Sequence, residues 1–298
     1  MDLNKIKYRV YIPSRERSRL VSENKGTFYY INGQDVDYSL VVRESEVKDY
    51  VDAGFKGAIL KVPDNSHIAD KNQDMLEECQ KDGIEYLIRF DDDLSFYYRD
   101  EAIASKYKSD APVFRERYFK EMLTDLFDIC SEKYPLVGVT NKFMSQEIKK
   151  MYIKNSFVFR VSCLHVPTIT KENIRLNGYG GGHCEDRFIF LTLLHKGYTT
   201  ILCSKYCHHE AAIGDYIGRG GCFSVDRVKV QNESATAIHN LFPEDTKLVS
   251  KTTKFWPEER LDVIVYVNKR FNTDGKTYVP SDEMHKFILN NRRAHGME

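Results

Sequence analysis

The chain has 298 residues, and its 44 Lys and Arg residues balance its 44 Asp and Glu residues, so the formal net charge is zero with neutral histidine. This balance excludes a global electrostatic attraction to nucleic acid or to an anionic membrane. With 42% hydrophobic and 12% aromatic residues, the composition excludes a disordered chain and is typical of a globular protein.

The cysteines and the N-terminus predict a cytoplasmic protein. The seven cysteines are odd in number and have no repeating spacing, which favours reduced thiols over a disulfide framework. The first residues lack the apolar run of a signal peptide, and no stretch approaches the ~20 apolar residues of a membrane helix. We expect no membrane partner.

Over the first hundred residues, short β-rich runs alternate with helix-compatible segments, which predicts βαβ units around a parallel sheet. The predicted strands are Tyr8–Ile12, Ser39–Val42, Ala58–Val62 and Tyr86–Phe90. Helices are predicted at Glu44–Ala53 and from Ile68 to near Gly83, where apolar residues recur at helical spacing.

The remaining chain continues the α/β pattern without a repeat or a clear linker. Helices are predicted at Phe114–Cys130, Asp186–His195 and Val225–Leu241, and strands at Leu136–Val139, Phe157–Ser162, Thr199–Cys203 and Leu261–Val267. We predict one continuous body, with a core over residues 1–215 and a C-terminal elaboration over residues 216–298 packed on it.

Three consecutive acids, Asp91, Asp92 and Asp93, directly follow the fourth predicted strand. Open α/β sheets bind ligands beyond the carboxyl ends of their strands. Adjacent carboxylates repel one another, and a hard divalent ion such as Mg²⁺ or Mn²⁺ would relieve the repulsion and still coordinate phosphate oxygens. The alternative is a solvated acidic turn or a helix cap.

This arrangement resembles the nucleotide-sugar glycosyltransferases of the GT-A fold, whose Asp-x-Asp motif follows a strand of a doubly wound, Rossmann-like mixed sheet. The resemblance implies that Asp91 and Asp93 hold a metal on the donor diphosphate and that Asp92 orients the ribose. The segment Pro13-Ser14-Arg15 stands where the family's first loop meets the nucleotide. Lys71-Asn72 resembles the family's Arg-Asn pair, with lysine in place of arginine.

A glycine-rich turn, Gly178 to Gly182, leads into Glu185 and Asp186 and resembles the turn that opens the acceptor-side helix of that family. The resemblance implies that Asp186 is the general base of an inverting transfer, with Glu185 as the alternative. Glycine turns and acidic helix starts also serve purely structural roles.

His208 or His209 would complete the metal shell, because many members place a histidine late in the domain. Cys203, Cys207, His208 and Cys222 also suggest zinc, although they lack paired ligand spacing. Four glycines around Arg219 would form a loop that closes over the donor diphosphate, or a surface loop with no such role; they are Gly214, Gly218, Gly220 and Gly221.

Within the fold, the opening Ile12-Pro13-Ser14-Arg15 and the compact size resemble bacteriophage enzymes that glycosylate hydroxymethylated cytosine in DNA. This implies a double-stranded DNA partner and, for a phage-encoded protein, the host cytoplasm. Tyr179 and Gly180 would receive the flipped base. Basic residues that could meet phosphates are Arg15, Arg17, Arg19, Lys142, Lys149, Lys150, Lys154, Arg292 and Arg293.

We therefore predict a metal-dependent glycosyltransferase that uses a nucleoside-diphosphate sugar, with uridine as the expected nucleoside, and transfers to a hydroxyl. The alternatives are a saccharide or glycan acceptor, a nucleotidyltransferase using the same acids, and a nucleotide- or nucleic-acid-binding module without catalysis. The nucleotidyl alternative lacks a Gly-rich phosphate loop after the first strand.

Overall fold

A computed structural model describes residues 6–99, 107–142, 150–210, 226–253, 256–267 and 271–294. The strands, in chain order, are β1 (Tyr8–Pro13), β2 (Tyr38–Arg43), β3 (Ala58–Val62), β4 (Tyr86–Phe90), β5 (Leu94–Arg99), β6 (Tyr107–Lys108), β7 (Leu136–Asn141), β8 (Tyr152–Lys154), β9 (Val161–His165), β10 (Thr200–Glu210), β11 (Thr246–Thr253), β12 (Trp256–Val265) and β13 (Tyr278–Val279).

The helices, in chain order, are α1 (Arg19–Ser22), α2 (Thr27–Ile31), α3 (Val47–Asp52), α4 (Ile68–Lys81), α5 (Ala111–Val113), α6 (Phe119–Ile129), α7 (Val166–Lys171), α8 (Glu185–His195), α9 (Arg227–Leu241) and α10 (Ser281–Ala294). A π-helical turn over Phe114–Tyr118 joins α5 to α6, so these pieces form one helical segment. No helix of the described residues is long and apolar enough to cross a membrane.

The central sheet is mixed and has the order β13-β8-β10-β7-β9-β4-β1-β2-β3, with β5 paired to the far part of β10 and β6 paired to β5. Strands β3, β2, β1 and β4 run parallel, as the alternating pattern of the first hundred residues predicts. Strand β9 pairs antiparallel with both β4 and β7. The predicted doubly wound mixed α/β fold is confirmed.

Two hydrophobic clusters cover the two faces of this sheet. Along β1, Val10 and Ile12 belong to one cluster and Tyr11 belongs to the other, as strand alternation requires. Helix α6 packs on the first face, whereas α4 and α7 pack on the second.

The strand order places a crevice between β1 and β4. From β1 the chain moves outward to β2 and β3 on one side and returns through α4 to β4 on the other side. Such a reversal leaves room for a ligand beyond the carboxyl ends of the two strands. Ser14 and Asp91 directly follow those two ends.

Several predicted boundaries were wrong. Phe157–Arg160 is not a strand, because the pairing with β4 begins only at Val161. Strand β10 continues past Cys203 to Glu210. The strand predicted at Leu261–Val267 begins earlier, at Trp256, and pairs with β11, which the sequence pattern did not reveal.

The C-terminal region packs on the core at several points. Strands β11 and β12 form a hairpin against α9, β13 extends the central sheet through β8, and α10 packs on α6. Arg292 of α10 donates from Nε to the fully buried Asp128 at 2.9 Å. These contacts join the C-terminal region to the rest of the chain, while the division into a core and an elaboration at residue 215 stays a prediction.

Candidate active site

A cavity of about 570 Å³ opens at the carboxyl ends of β1 and β4. It is lined by most of the predicted site residues: Pro13, Ser14, Arg15, Lys71, Asp91, Asp92, Asp93, Glu185 and Asp186. Its size lies within the range of small-molecule and cofactor sites. The structure therefore brings together the first loop, the start of α4, the acidic triplet and the start of α8.

Asp92 is buried and connects the triplet to the first loop. One carboxylate oxygen accepts from Ser14 Oγ at 2.5 Å and the other accepts from Arg17 Nη1 at 2.7 Å. Tyr50 donates to the same Ser14 hydroxyl at 2.7 Å. With only 3% of its surface exposed, Asp92 is placed to hold the loop against the triplet.

Asp93 carries a carboxyl group that is hard to ionise. Burial, followed by the neighbouring carboxylate of Asp92, raises its pKa to about 6, although Arg17 opposes the shift. Arg17 Nη1 reaches Asp93 at 2.9 Å. One guanidinium thus bridges two acids of the triplet.

Asp91 is the most exposed of the three acids, with 28% of its side chain accessible, against 16% for Asp93. Arg89 donates to it from Nη2 at 3.0 Å. Arg160 Nε lies 3.9 Å from its other oxygen, and the same guanidinium pairs with Glu210. Asp91 therefore offers its carboxylate to the cavity between two cations.

The backbone around the triplet is fixed by a close approach from α2. Thr27 donates through its N–H to the Asp92 carbonyl at 3.0 Å and through its hydroxyl to the Asp91 carbonyl. Gly26 has φ +60°, and a Cβ there would lie 2.4 Å from the Asp92 carbonyl oxygen. Only glycine fits this position without displacing the triplet.

Arg89 joins the two acidic motifs of the sequence. It lies in β4, donates from Nη1 to Glu185 at 2.8 Å, and donates from Nη2 to Asp91. Burial alone would lower the pKa of Arg89, but the two carboxylates raise it above its usual value. The guanidinium therefore stays charged and holds the start of α8 beside the triplet.

Asp186 differs from Glu185 in what it contacts. Glu185 is bound to Arg89, whereas Asp186 accepts from the backbone N–H of Arg187 at 2.8 Å. Burial, followed by the charge of Glu185, raises the pKa of Asp186 to about 6. A carboxylate with a pKa near neutrality suits a general base better than one bound to arginine.

Two residues in the left-handed backbone region border this site. Cys184, which caps α8, has φ +63°, and Arg160 has φ +63°. Non-glycine residues adopt this conformation at an energetic cost that the surrounding structure must offset. Here the Arg160 carbonyl accepts from the N–H of Asp91 at 2.9 Å, so the strained residue fixes the triplet from the β9 side.

Lys71 and Asn72 lie at the start of α4, next to the first loop. Lys71 donates to the carbonyl oxygen of Ser14, just after β1, at 2.6 Å and to that of Val41, within β2, at 3.2 Å. Burial lowers its pKa to about 8. Asn72 is buried beside the cavity rather than lining it, and its Oδ1 has no hydrogen-bond partner among the described residues.

The two predicted histidine ligands lie on β10, where His208 pairs with Phe96 of β5 and His209 pairs with Ser95. His208 is fully buried, and its ring meets Phe159 edge-on at 5.2 Å. Burial lowers its pKa to about 3, and neither ring nitrogen has a partner within the described ranges. Strand alternation places His208 on the same face as Glu210 and His209 on the other. Neither histidine lines the cavity.

The described residues do not support the zinc alternative. No group of three or more His, Cys, Asp and Glu side chains among them is arranged to hold a metal ion. Cys203 is buried, and burial raises the pKa of its thiol to about 12, which disfavours the thiolate that zinc requires. Cys222 and the predicted loop of Gly214, Gly218, Arg219, Gly220 and Gly221 lie outside the described residues, as does Lys149.

The predicted base-receiving residues have a structural role instead. Tyr179 is buried, packs on Phe188, and donates its hydroxyl to the His183 carbonyl at 2.5 Å. Neither Tyr179 nor Gly180 lines the cavity. Among the predicted phosphate contacts, Arg292 is bound to Asp128 and Lys154 to Asp274, so both help to hold the C-terminal region.

Several residues that line the cavity were not predicted from the sequence to do so: Arg89, Arg160, Phe157, Phe159, His183, Glu210 and Trp256. Arg17 was considered only as a phosphate contact. A signal existed for Arg89, because a charged residue inside an otherwise apolar strand next to three acids suggests a buried ion pair. The others come from segments whose position depends on the tertiary fold.

A family model described as TET-associated glycosyltransferase matches residues 8–218. The beta-glucosyl-HMC-alpha-glucosyl-transferase of Enterobacteria phage T2 is 25% identical over 230 residues, which cover 72% of this chain and 75% of the phage protein. The protein of the same name from phage T6 is 25% identical over 229 residues, with the same coverage.

Among solved structures, the catalytic domain of Drosophila beta1,4-galactosyltransferase 7 in complex with xylobiose aligns with a TM-score of 0.38 and 12% identity. The alignment covers 89% of this chain and 96% of that one.

Proposed function

Because the chain belongs to the TET-associated glycosyltransferase family and is therefore a glycosyltransferase, we propose that it transfers a sugar from a nucleoside-diphosphate donor, with UDP as the carrier, to hydroxymethylcytosine in DNA. The observation that carries the proposal is the Arg89 bridge, which holds Asp91 at 3.0 Å and Glu185 at 2.8 Å. A donor-side acid and a base-side acid thereby share one cavity. The site of action would be the host cytoplasm for a phage-encoded protein.

The donor side is formed by the first loop, Lys71 and the triplet. A diphosphate would meet the cations Arg15, Arg17 and Lys71, and the nucleoside would lie over Pro13 and Ser14, which line the cavity floor. In this proposal Asp92 supports donor binding by holding the first loop in place through Ser14 and Arg17. Arg219 would close over the diphosphate from outside the described residues.

In this proposal Asp91 and Asp93 supply two hard oxygen ligands for a divalent ion such as Mn²⁺ or Mg²⁺, and the donor diphosphate supplies others, because the described residues contain no group of three His, Cys, Asp or Glu side chains arranged to hold an ion. His208, a neutral imidazole whose ring nitrogens have no partner among the described residues, contacts Phe159 of the cavity wall and does not line the cavity itself. His209 lies on the opposite face of β10 and is the weaker candidate. A bound ion would neutralise the charge that develops on the leaving diphosphate.

The chemical step uses Asp186 as base. The acceptor hydroxyl oxygen attacks the anomeric carbon and forms the new glycosidic bond, while the bond from that carbon to the diphosphate oxygen breaks. The hydroxyl proton passes to the Asp186 carboxylate, and the nucleoside diphosphate leaves with the bonding electrons. Glu185 keeps its place through Arg89.

The acceptor assignment is supported by the two phage relatives, whose names refer to beta-glucosyl-HMC. A base stacked inside a duplex cannot reach acids that lie within a cavity, so it would have to flip outward.

The test incubates the protein with Mn²⁺, a panel of sugar nucleotides, and duplexes that differ only in hydroxymethylcytosine or cytosine at one position. Nucleoside mass spectrometry should find a sugar adduct on the modified base alone, and Asp186→Asn should reduce it. Transfer to free saccharides without any nucleoside adduct would replace the DNA acceptor by a glycan acceptor. Donor binding without transfer or hydrolysis would contradict the enzymatic assignment of the site.

A further inference from the structure

The only tryptophan of the chain, Trp256, lines the same cavity as the acids. It begins β12, and its backbone N–H donates to Thr253 Oγ1 at 3.0 Å. The family match ends at residue 218, so this residue comes from a hairpin outside the matched region. The C-terminal elaboration therefore contributes a wall of the active site.

Two arginines fix the indole ring. The Arg260 guanidinium carbon lies 4.2 Å from the ring centroid, and that of Arg227 lies 5.1 Å away. Arg260 is buried and donates to the carbonyl oxygens of Trp256 and Lys251 at 3.3 and 3.4 Å. Arg227 pairs with Glu258 on the same strand. The aromatic surface is thus held in place before any ligand arrives, which lowers the entropic cost of binding.

Core packing does not account for Trp256. Val263, farther along the same strand, belongs to a buried hydrophobic cluster with residues of α8 and α9. Trp256 is only half-buried and lies outside the buried clusters of the described residues. A large aromatic residue that borders a cavity instead of filling a core is available to a ligand.

Resting on the proposed function, we propose that Trp256 is the acceptor-contacting residue and that the extrahelical cytosine lies against its indole. Arg227 and Arg260 hold the ring but do not line the cavity themselves, so the indole is the surface that this hairpin offers to the base. An aromatic ring at which a base can stack is typical of surfaces that bind unstacked nucleotides.

The test compares wild-type protein with Trp256→Ala, Trp256→Phe and the matched control Tyr266→Ala, an exposed aromatic residue just after β12 that does not line the cavity. Kinetics use the hydroxymethylcytosine duplex and the donor selected by the panel above. A stacked base is worth about 1–3 kcal/mol, so Trp256→Ala should raise the acceptor KM about tenfold. Trp256→Phe should give an intermediate KM, and the control should match wild type.

Two further readouts separate binding from folding. Donor Kd by calorimetry should stay within about twofold of wild type in both Trp256 variants, because stacking on this ring concerns the acceptor only. Since Trp256 is the sole tryptophan, its fluorescence in the wild-type protein should be quenched by the modified duplex, a readout that needs no variant. Circular dichroism and thermal melting check that each variant is folded.

Different results overturn different claims. The acceptor role of Trp256 is wrong if the wild-type protein modifies the duplex, the duplex does not change its fluorescence, and Trp256→Phe and Trp256→Ala keep the wild-type acceptor KM. The proposed function would then still stand. An equal rise in KM for Tyr266→Ala would likewise overturn the acceptor role of Trp256. If wild type modifies only saccharides, the DNA acceptor and the role of Trp256 fall together.

Discussion

Replacing Lys71 by methionine should stabilise the protein and weaken donor binding. Lys71 is buried, with 4% of the residue exposed, and burial is the main cause that lowers the pKa of its ammonium group from 10.5 to about 8. Keeping it charged at neutral pH therefore costs about 3 kcal/mol, at 1.36 kcal/mol per pKa unit. Losing its hydrogen bonds to the Ser14 and Val41 carbonyls costs about 1 kcal/mol each. We expect a net gain of about 1 kcal/mol in the free energy of unfolding at pH 7.

The pH dependence gives the sharper test. The folded pKa lies below the unfolded one, so the penalty is complete below pH 8 and disappears as pH rises toward 10.5. The free energy of unfolding of the wild-type protein should therefore rise relative to that of Lys71→Met between pH 8 and 10. Urea denaturation across this range measures the difference, and Lys81→Met, an exposed position on the same helix, is the control. Parallel pH profiles, or a destabilised Lys71→Met at pH 7, would refute the reasoning.

Four other variants test the remaining parts of the site and the fold. Asp186→Asn should reduce turnover about 100-fold and leave donor affinity intact. The wild-type rate should fall below pH 6, because Asp186 takes up a proton there. A rate that does not change between pH 5 and pH 8 would contradict the role of Asp186 as base. Asp93→Asn should abolish Mn²⁺-dependent donor binding in calorimetry, and His208→Ala should weaken it; unchanged affinity in both variants would remove them from the metal site. Arg292→Ala should cost about 3 kcal/mol in chemical denaturation, because it leaves the buried Asp128 unpaired; a loss below 1 kcal/mol would show that Asp128 finds another partner.

The sequence predicted the part of the fold that depends on local pattern. The four parallel strands and α4 follow from alternating apolar runs, and the triplet after β4 marked the position of the crevice. The prediction failed at Phe157–Arg160, an apolar run that looks like a strand. In the folded chain Phe157 and Phe159 line the cavity instead, and sheet pairing starts only at Val161. Periodicity alone cannot distinguish a core run from a cavity wall.

The arginines could not be assigned from the sequence because their partners are remote in the chain. Arg17 reaches Asp92 and Asp93 across the crevice, and Arg89 reaches Glu185 on α8. Arg292 resembled a phosphate contact but is bound to Asp128, an acid from α6. Charge patterning predicts that a cation exists on a segment, whereas only the fold decides which acid it meets.

Acidic and basic side chains balance in the cavity, as they do in the whole chain. Among the described residues, six acids and six basic side chains border it: Asp91, Asp92, Asp93, Glu185, Asp186 and Glu210 against Arg15, Arg17, Lys71, Arg89, Arg160 and Arg187. A diphosphate alone would leave this low-dielectric site with excess negative charge, and a divalent ion alone would leave excess positive charge, whereas the two together nearly cancel.

Metal and donor should therefore bind with positive coupling, and the coupling must be reciprocal because it is a free energy shared by two sites. Protonation of Asp93, whose pKa is about 6, removes one negative charge from the metal's side and should weaken the coupling as pH falls through 6. Calorimetric titration of the donor with and without Mn²⁺, at pH 7.5 and pH 5.5, measures both effects. Equal donor affinity with and without Mn²⁺ at pH 7.5 would mean that the arginines alone neutralise the charge of the diphosphate. The triplet would then serve to hold those arginines and not a metal.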